Sequence, residues 1–202
     1  MYTLFLSTHS HLITVALVSD ENVLVKTQES EASHAVYLVP MIDSILKENN
    51  LSVKDIKDIV CINGPGSFTG LRIGLSVGKT MAYSLDVPIY LISSLTSYLV
   101  SDNKLCDKIC ILEESKGYYI SIFDKDNNVV KKECFVDDID SYKNIYRVKE
   151  ELNVKKVVDY AKKSDSVNPH LVRANYVKTI EAERWLALKK IIILKRNFIL
   201  MM

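Results

Sequence analysis

Five of the six glycines in this chain of 202 residues fall within one stretch, GPGSFTGLRIGLSVG (64–78), which is its most restrictive feature. The apolar run DIVCIN (58–63) precedes this stretch and predicts a buried strand. The residues after the turn, 71–86, predict a helix, for which Ser67 or Thr69 is a suitable N-cap. The cluster therefore predicts a strand, a glycine-rich turn and a helix in succession.

One interpretation of this turn is a phosphate-binding loop. The backbone N–H groups of such a turn and the positive end of the helix dipole point at the same spot. A Walker motif is absent, however, because only three residues separate Gly74 from Gly78, ahead of Lys79 and Thr80. That segment also lies inside the predicted helix, so Lys79 is expected on the helix surface.

A nucleophile elbow is a second interpretation. Ser67 directly follows Gly66, so the G-x-S-x-G pattern of such an elbow is not met. No sequence spacing supports His34 or His170 as a base for Ser67. The sequence therefore offers little support for a hydrolase.

Close packing is the third interpretation. Gly70, Gly74, Gly78 and Ala82 recur every four residues and form one ridge that carries almost no side-chain atoms. Each glycine inside a helix costs about 1 kcal/mol relative to alanine, so a ridge of glycines needs a compensating contact. That contact is either the protein's own sheet or a helix of a partner, and the sequence leaves both open.

Strands and helices alternate over the rest of the chain. Apolar β-branched runs separated by short polar breaks predict strands, and apolar residues spaced by three and four predict helices. The predicted strands are 3–7, 12–19, 23–27, 58–63, 88–92, 108–114, 118–124 and 129–135, and the predicted helices are 33–49, 71–86, 93–100 and 178–190. Residues 148–163 fit either a helix or a strand. The β-rich opening occurs twice, which predicts an α/β fold of two lobes.

The charge balance argues against a general nucleic-acid binder. The net charge is +1, but residues 143–196 hold 14 basic and 6 acidic residues. This basic third is either a solvated face or a docking face for RNA or an acidic partner.

The cysteine pattern and the hydropathy predict a protein of the cytoplasm. The four cysteines form no C-x-x-C motif, and no histidine pair has zinc spacing, so no metal site and no cofactor are expected. No apolar run reaches the ~18 residues of a membrane span, and the N-terminus does not resemble a signal peptide. The apolar segment IIILKRNFILMM (191–202) is short and charged at its centre, so a terminal strand or helix end is preferred over contact with a membrane surface.

Residues 62–95 resemble a known family, the bacterial TsaB (YeaZ) proteins of tRNA threonylcarbamoyladenosine biosynthesis. The family signature GPGSFTG-[LV]-RIGL is matched by Gly64–Leu75, and its later G-[IV]-P strand and SSL turn by Val87-Pro88 and Ser93–Leu95. Ser33-His34, with the apolar residues that follow, is similar to the H-S-x-x-L-L-P-x-I helix. The resemblance covers about residues 1–100 and is patchy beyond.

The resemblance implies an actin/Hsp70-like ATPase-superfamily fold of two ribonuclease-H-like lobes. The first lobe is expected at residues 1–100, and a smaller, truncated second lobe at 101–202. It implies a non-catalytic subunit that pairs with a TsaD-type catalytic subunit, which transfers the threonylcarbamoyl group to the adenosine beside the tRNA anticodon. A TsaE-type ATPase is a further implied partner, and tRNA is contacted indirectly through the complex.

Pairing in the family runs through the helices of the first lobe. On this chain the expected interface residues are His34, Leu38, Met41, Ile42 and Ile45 on the first helix and Arg72, Gly74, Leu75, Gly78 and Met81 on the second. Without its partner the chain is expected to form a homodimer through the same surface, because exposed apolar helix pairs are rarely left bare.

Two departures from the family pattern bear on catalysis. The first strand ends in Ser7-Thr8-His9, where the family usually has Asp-Thr-Ser, and serine cannot supply the negative charge of a magnesium ligand. The family's D-A-R-x-G-E is replaced by Glu113–Tyr118. The first departure strengthens the expectation that no residue of this chain is catalytic. The alternative is a self-sufficient ATPase or phosphotransferase of the same fold, with GPGSFTG as its phosphate loop.

Overall fold

The computed structural model describes residues 1–30 and 34–177. The first sheet has five strands in the order β3-β2-β1-β4-β5. These strands are β1 (Tyr2–Ser7), β2 (Leu12–Val18), β3 (Val23–Glu29), β4 (Ile56–Ile62) and β5 (Ile89–Ile92). The first three strands form an antiparallel meander, and β4 and β5 add in parallel beside β1.

The second sheet repeats this arrangement with four described strands in the order β8-β7-β6-β9. They are β6 (Lys108–Glu114), β7 (Gly117–Phe123), β8 (Val129–Val136) and β9 (Tyr146–Arg147). Again a meander of three antiparallel strands is extended by a parallel strand beside the first of them. The prediction of an actin/Hsp70-like α/β fold with two ribonuclease-H-like lobes, the second with fewer elements in the described residues, is confirmed.

Four helices cover these sheets: α1 (His34–Glu48), α2 (Phe68–Leu85), α3 (Ser94–Ser101) and α4 (Val154–Ala161). The alternation of β1 explains why both faces of the first sheet are covered. Leu4 and Leu6 point toward the core that α1 and α2 close, whereas Phe5 points to the opposite face and packs with α4. This buries both sides of the central strand, as its continuous apolar sequence predicts.

The chain returns to the first sheet after building most of the second. Val157, Val158 and Ala161 of α4 pack on the first sheet, and the amide of Val167 donates to the carbonyl of Ile89. The predicted boundary near residue 100 therefore separates the two meanders, but it places α4 with the lobe on which it does not pack.

The elements of the first half agree with the prediction to within three residues, the largest difference being the start of α2 at Phe68. Residues 154–161 are helical, which resolves the helix-or-strand ambiguity of that region. Pro40 is the seventh residue of α1 and so lies beyond the first turn of this helix. The predicted helix at 178–190 and the terminal apolar segment lie outside the described residues. No helix in the described part of the chain has the length and apolar character needed to cross a membrane.

Candidate functional site

The glycine-rich turn is closed by hydrogen bonds to the rest of the first lobe. The amide of Ser67 donates to the carbonyl of His9 at 2.7 Å, and the amide of Gly70 donates to the Ser67 hydroxyl at 3.2 Å. Gly66 has a positive φ of 151° and lies so close to His9 that an added Cβ would be 2.9 Å from the His9 Cβ. Two amides that a phosphate loop would offer to a ligand are thus used within the chain.

The end of β1 holds a buried polar cluster next to this turn. His9 is bonded through Nδ1 to the Ser7 hydroxyl at 2.9 Å and through Nε2 to the Tyr98 hydroxyl at 2.6 Å. Burial lowers the pKa of His9 to about 4, so the imidazole is neutral at pH 7. Burial also raises the pKa of Tyr98, so the phenol in this hydrogen bond stays protonated.

The neutral imidazole of His9 carries one ring proton, so it donates to one of the Ser7 and Tyr98 hydroxyls and accepts from the other. The cluster lines a cavity of about 700 Å³ beside β2, β3 and the start of α4. Among the residues that the structure describes, no group of three or more His, Cys, Asp or Glu side chains has metal-binding geometry.

The glycine ridge faces the protein's own sheet. An added Cβ on Gly74 would collide with the side chain of Thr8, and one on Gly78 with the sulfur of Cys61. Gly70 lies against the carbonyl of Thr8, whose hydroxyl donates back to the Gly70 carbonyl at 2.8 Å. The expectation that Gly74 and Gly78 contact a partner is corrected: glycine is needed there because α2 packs closely on β1 and β4.

Most of the other expected interface residues are also internal. Leu38, Ile42, Ile45 and Leu75 are buried in the core between the helices and the sheet. Because they are buried, these four residues are core residues and not the main partner contacts that the sequence predicted. Ile42 also lines the groove described below.

Three of the remaining four residues are less exposed than expected. His34 is buried, and its Nε2 contacts the Ser10 carbonyl at 2.9 Å, which makes it a local structural contact. Met41 and Met81 are partly buried against the core. Arg72 alone of the ten is fully on the surface.

An apolar groove of about 530 Å³ runs between the outer sides of α1 and α2. Its lining is Val39, Ile42, Asp43 and Leu46 of α1, Val53 of the next turn, and Ser76, Val77, Thr80 and Met81 of α2. Val39 and Val53 are about half exposed, at 54% and 45%. We call this surface the α1–α2 groove.

The interface residues expected from sequence lie mostly on the buried sides of α1 and α2. Most residues of the α1–α2 groove are absent from that set, because the apolar positions spaced by three and four were assigned to a partner and instead form the core. One signal was available: α1 carries Val36 and Val39 on the side opposite its buried stripe, where a solvated helix has polar residues.

An aromatic cluster holds Arg72 at the start of α2. The guanidinium lies 3.8 Å above the centre of the Phe68 ring, and its Nε donates to the Tyr176 hydroxyl at 3.0 Å. Phe68 and Tyr176 are themselves in contact, with ring centres 5.2 Å apart. Tyr176 belongs to the segment after α4, so the last described residues help to position this arginine.

A second network, also missed from sequence, joins the two lobes. Glu133 of β8 accepts hydrogen bonds from Ser93, the N-cap of α3, and from the side-chain amide of Asn175 at 2.7 Å. The backbone amide of Asn175 donates to the carbonyl of Asn63 at 2.7 Å. Because these residues are distant in sequence, no local pattern reveals the contact.

Both helices lie in a stretch of the chain that matches known sequences. A family model described as TsaD, tRNA N6-adenosine threonylcarbamoyltransferase, matches residues 24–112, which include α1 and α2. The tRNA threonylcarbamoyladenosine biosynthesis protein TsaB of Bacillus subtilis is 35% identical over 96 residues, covering 47% of this chain and 42% of that protein. TsaB of Escherichia coli is 32% identical over 95 residues, covering 47% and 41%. The matched stretch spans less than half of each relative.

Solved structures extend the likeness beyond that stretch. YeaZ from Pseudomonas aeruginosa superposes with a TM-score of 0.72 over 87% of this chain and 99% of that one, at 17% identity. A second structure from that organism, described as an uncharacterized protein with similarity to peptidase YeaZ, gives a TM-score of 0.73 over 88% and 99%. The chain is thus similar to TsaB in sequence over about half its length and has the fold of YeaZ over most of it, which confirms its resemblance to the TsaB (YeaZ) family.

Proposed function

We propose that this protein takes part in tRNA threonylcarbamoyladenosine biosynthesis as a non-catalytic subunit that binds a TsaD-type catalytic subunit. The observation that carries the proposal is the α1–α2 groove, an exposed apolar surface within the stretch that matches the family. Covering half-exposed valines such as Val39 and Val53 on complex formation is favourable at roughly 25 cal/mol per Å² of apolar area. Apolar helix pairs of this kind bind helices of a partner.

The hydrogen bonding of the glycine-rich turn supports a scaffold over an ATPase. Ser67 donates its amide to His9, and the position where a magnesium-binding carboxylate is expected holds Ser7, which is bonded to His9. In this proposal a TsaE-type ATPase and tRNA join through the assembled complex. Alone, the chain forms a homodimer through the α1–α2 groove.

Binding of the TsaD-type subunit from the same organism tests this role. The full chain and its Val39→Glu variant are titrated into that subunit by calorimetry, with Val130→Glu as the matched control. Val130 is also an exposed valine, at 66%, but lies on β8 of the second lobe. We expect Val39→Glu to weaken binding at least about tenfold, because a carboxylate would be desolvated in the groove, and Val130→Glu to bind as the wild type does.

Two results would contradict the proposal. Equal binding by wild type and Val39→Glu would place the interface elsewhere. Micromolar binding and turnover of Mg-ATP by the chain alone would favour the self-sufficient ATPase or phosphotransferase.

A further inference from the structure

The outer side of α2 carries charge of one sign only. Its sequence, FTGLRIGLSVGKTMAYSL, contains Arg72 and Lys79 and no acidic residue. The two lie seven residues apart, so they are on one side of the helix and about 10 Å apart along its axis. Ser76, between them, is exposed and forms part of the wall of the α1–α2 groove. Arg72 and Lys79 therefore lie along the edge of the α1–α2 groove.

Neither cation is neutralised within the described part of the chain. The ion pairs there join other residues, such as Lys47 with Asp43 and Lys155 with Asp159. Arg72 is also close to the N-terminus of α2, where the helix dipole disfavours a positive charge. Among residues 1–30 and 34–177, no acidic side chain therefore compensates the charge of Arg72.

Two aromatic side chains restrict the position of the Arg72 guanidinium. Phe68 stacks on the guanidinium and Tyr176 accepts from Nε, so two contacts restrict this exposed side chain, and no hydrogen bond within the described residues uses its terminal amino groups. A fixed guanidinium loses less conformational freedom on binding and accepts a carboxylate through two parallel hydrogen bonds. A lysine would provide the charge without this geometry.

We propose that Arg72, assisted by Lys79, is the specificity-determining contact of the interface and pairs with carboxylates on a helix of the TsaD-type subunit. This inference rests on the proposed function. An acidic protein segment is favoured over an RNA phosphate because the cations border an apolar groove, which suits a helix with one apolar and one acidic side. The apolar contacts supply affinity, and the charges determine which partner binds and in which register.

Charge variants of Arg72 test the proposal by calorimetry against the same TsaD-type subunit at about 0.05 M and about 0.5 M salt. We expect Arg72→Glu to weaken binding at least tenfold at low salt and by less at high salt, where screening reduces the repulsion. Arg72→Lys should lie between wild type and Arg72→Glu. Lys104→Glu is the matched control, because Lys104 also stacks on an aromatic ring, 3.9 Å from that of Tyr146, but in the second lobe.

A charge swap locates the other side of the contact. Asp→Lys and Glu→Lys variants of the TsaD-type subunit are titrated with Arg72→Glu, and one of them should restore binding. Normal binding by Arg72→Glu together with a loss in Val39→Glu would overturn the role of Arg72 and leave the proposed function intact. Normal pairing with loss of tRNA binding by the complex would assign Arg72 to phosphate and overturn the carboxylate proposal. Absence of pairing by the wild type would overturn both.

Discussion

The carbonyl of His9 accepts the amide hydrogen of Ser67 at 2.7 Å, which joins the turn after β1 to the glycine-rich turn before α2. Gly66 permits this approach, because any larger residue would collide with His9. The turn after β1 and the glycine-rich turn are therefore bonded directly to each other. The GPGSFTG motif thus connects the end of β1 to the start of α2 in this chain.

Gly74→Leu is expected to destabilise the isolated protein by more than about 2 kcal/mol, because the new side chain must displace Thr8 in a closely packed region. Urea unfolding followed by circular dichroism measures the change. Ser76→Leu is the control: it adds the same side chain to the exposed side of the same helix and should alter stability by at most about 0.5 kcal/mol. A stable Gly74→Leu variant that fails only in pairing would return the glycine ridge to the interface.

Stability should fall as the pH is lowered from about 6.5 to about 4 because of His9. The pKa of His9 is lowered to about 4 in the folded protein, from 6.5, so below 6.5 the unfolded chain binds a proton that the native state does not. This loss in the free energy of unfolding reaches about 3 kcal/mol by pH 4 and is absent above pH 7.

Replacement of His9 separates this effect from general acid unfolding. His9→Gln should show a shallower dependence of the unfolding free energy on pH across this window. His11→Gln, which replaces an exposed histidine two residues away, is the matched control. Equal slopes for wild type and His9→Gln would mean that His9 is protonated in the folded state.

Lys162→Met is expected to cost about 3 kcal/mol, because Lys162 is the counter-ion of the buried Asp58. The two groups are 2.5 Å apart, and the other Asp58 oxygen has no hydrogen-bond partner among the described residues. Removing the lysine leaves a buried carboxylate uncompensated. The double variant Asp58→Asn/Lys162→Met should recover much of the loss in thermal unfolding.

A second ion pair, within α4, provides the control for this prediction. Lys155 is paired with Asp159 at 3.2 Å, and their side chains are 37% and 53% exposed. Lys155→Met should therefore change stability by at most about 0.5 kcal/mol. Equal losses in Lys155→Met and Lys162→Met would show that burial of Asp58 is not the cause.

Glu133→Gln should loosen the contact between the lobes. Glutamine keeps only one acceptor oxygen, so it cannot accept from Ser93 and Asn175 through two separate oxygens as the carboxylate does. We expect a loss of about 1–2 kcal/mol and faster hydrogen exchange at 172–177. Glu113→Gln, at an exposed position of β6, is the control. Unchanged exchange in Glu133→Gln would mean that other contacts hold this segment.

The sequence alone determined the secondary structure of the first half and the existence of two similar lobes. Strong periodicity, β-branched runs and the glycine-rich turn are local signals. They predict the ends of β1 to β5 and α1 to α3 to within three residues. The GPGSFTG run also carried the resemblance to the TsaB (YeaZ) proteins. Contacts between distant residues have no such local signal, so the junction of Ser93, Glu133 and Asn175 was not predictable.

Only the tertiary structure decided which side of each helix meets solvent. A four-residue repeat defines the ridge of Gly70, Gly74 and Gly78, but periodicity does not say what covers a ridge. The sheet decides it, because β1 brings Thr8 and β4 brings Cys61 against these glycines. With that side of α2 packed on the sheet, the opposite side, with Arg72, Ser76 and Thr80, is exposed, since α2 contributes one side to the core and the other to the surface.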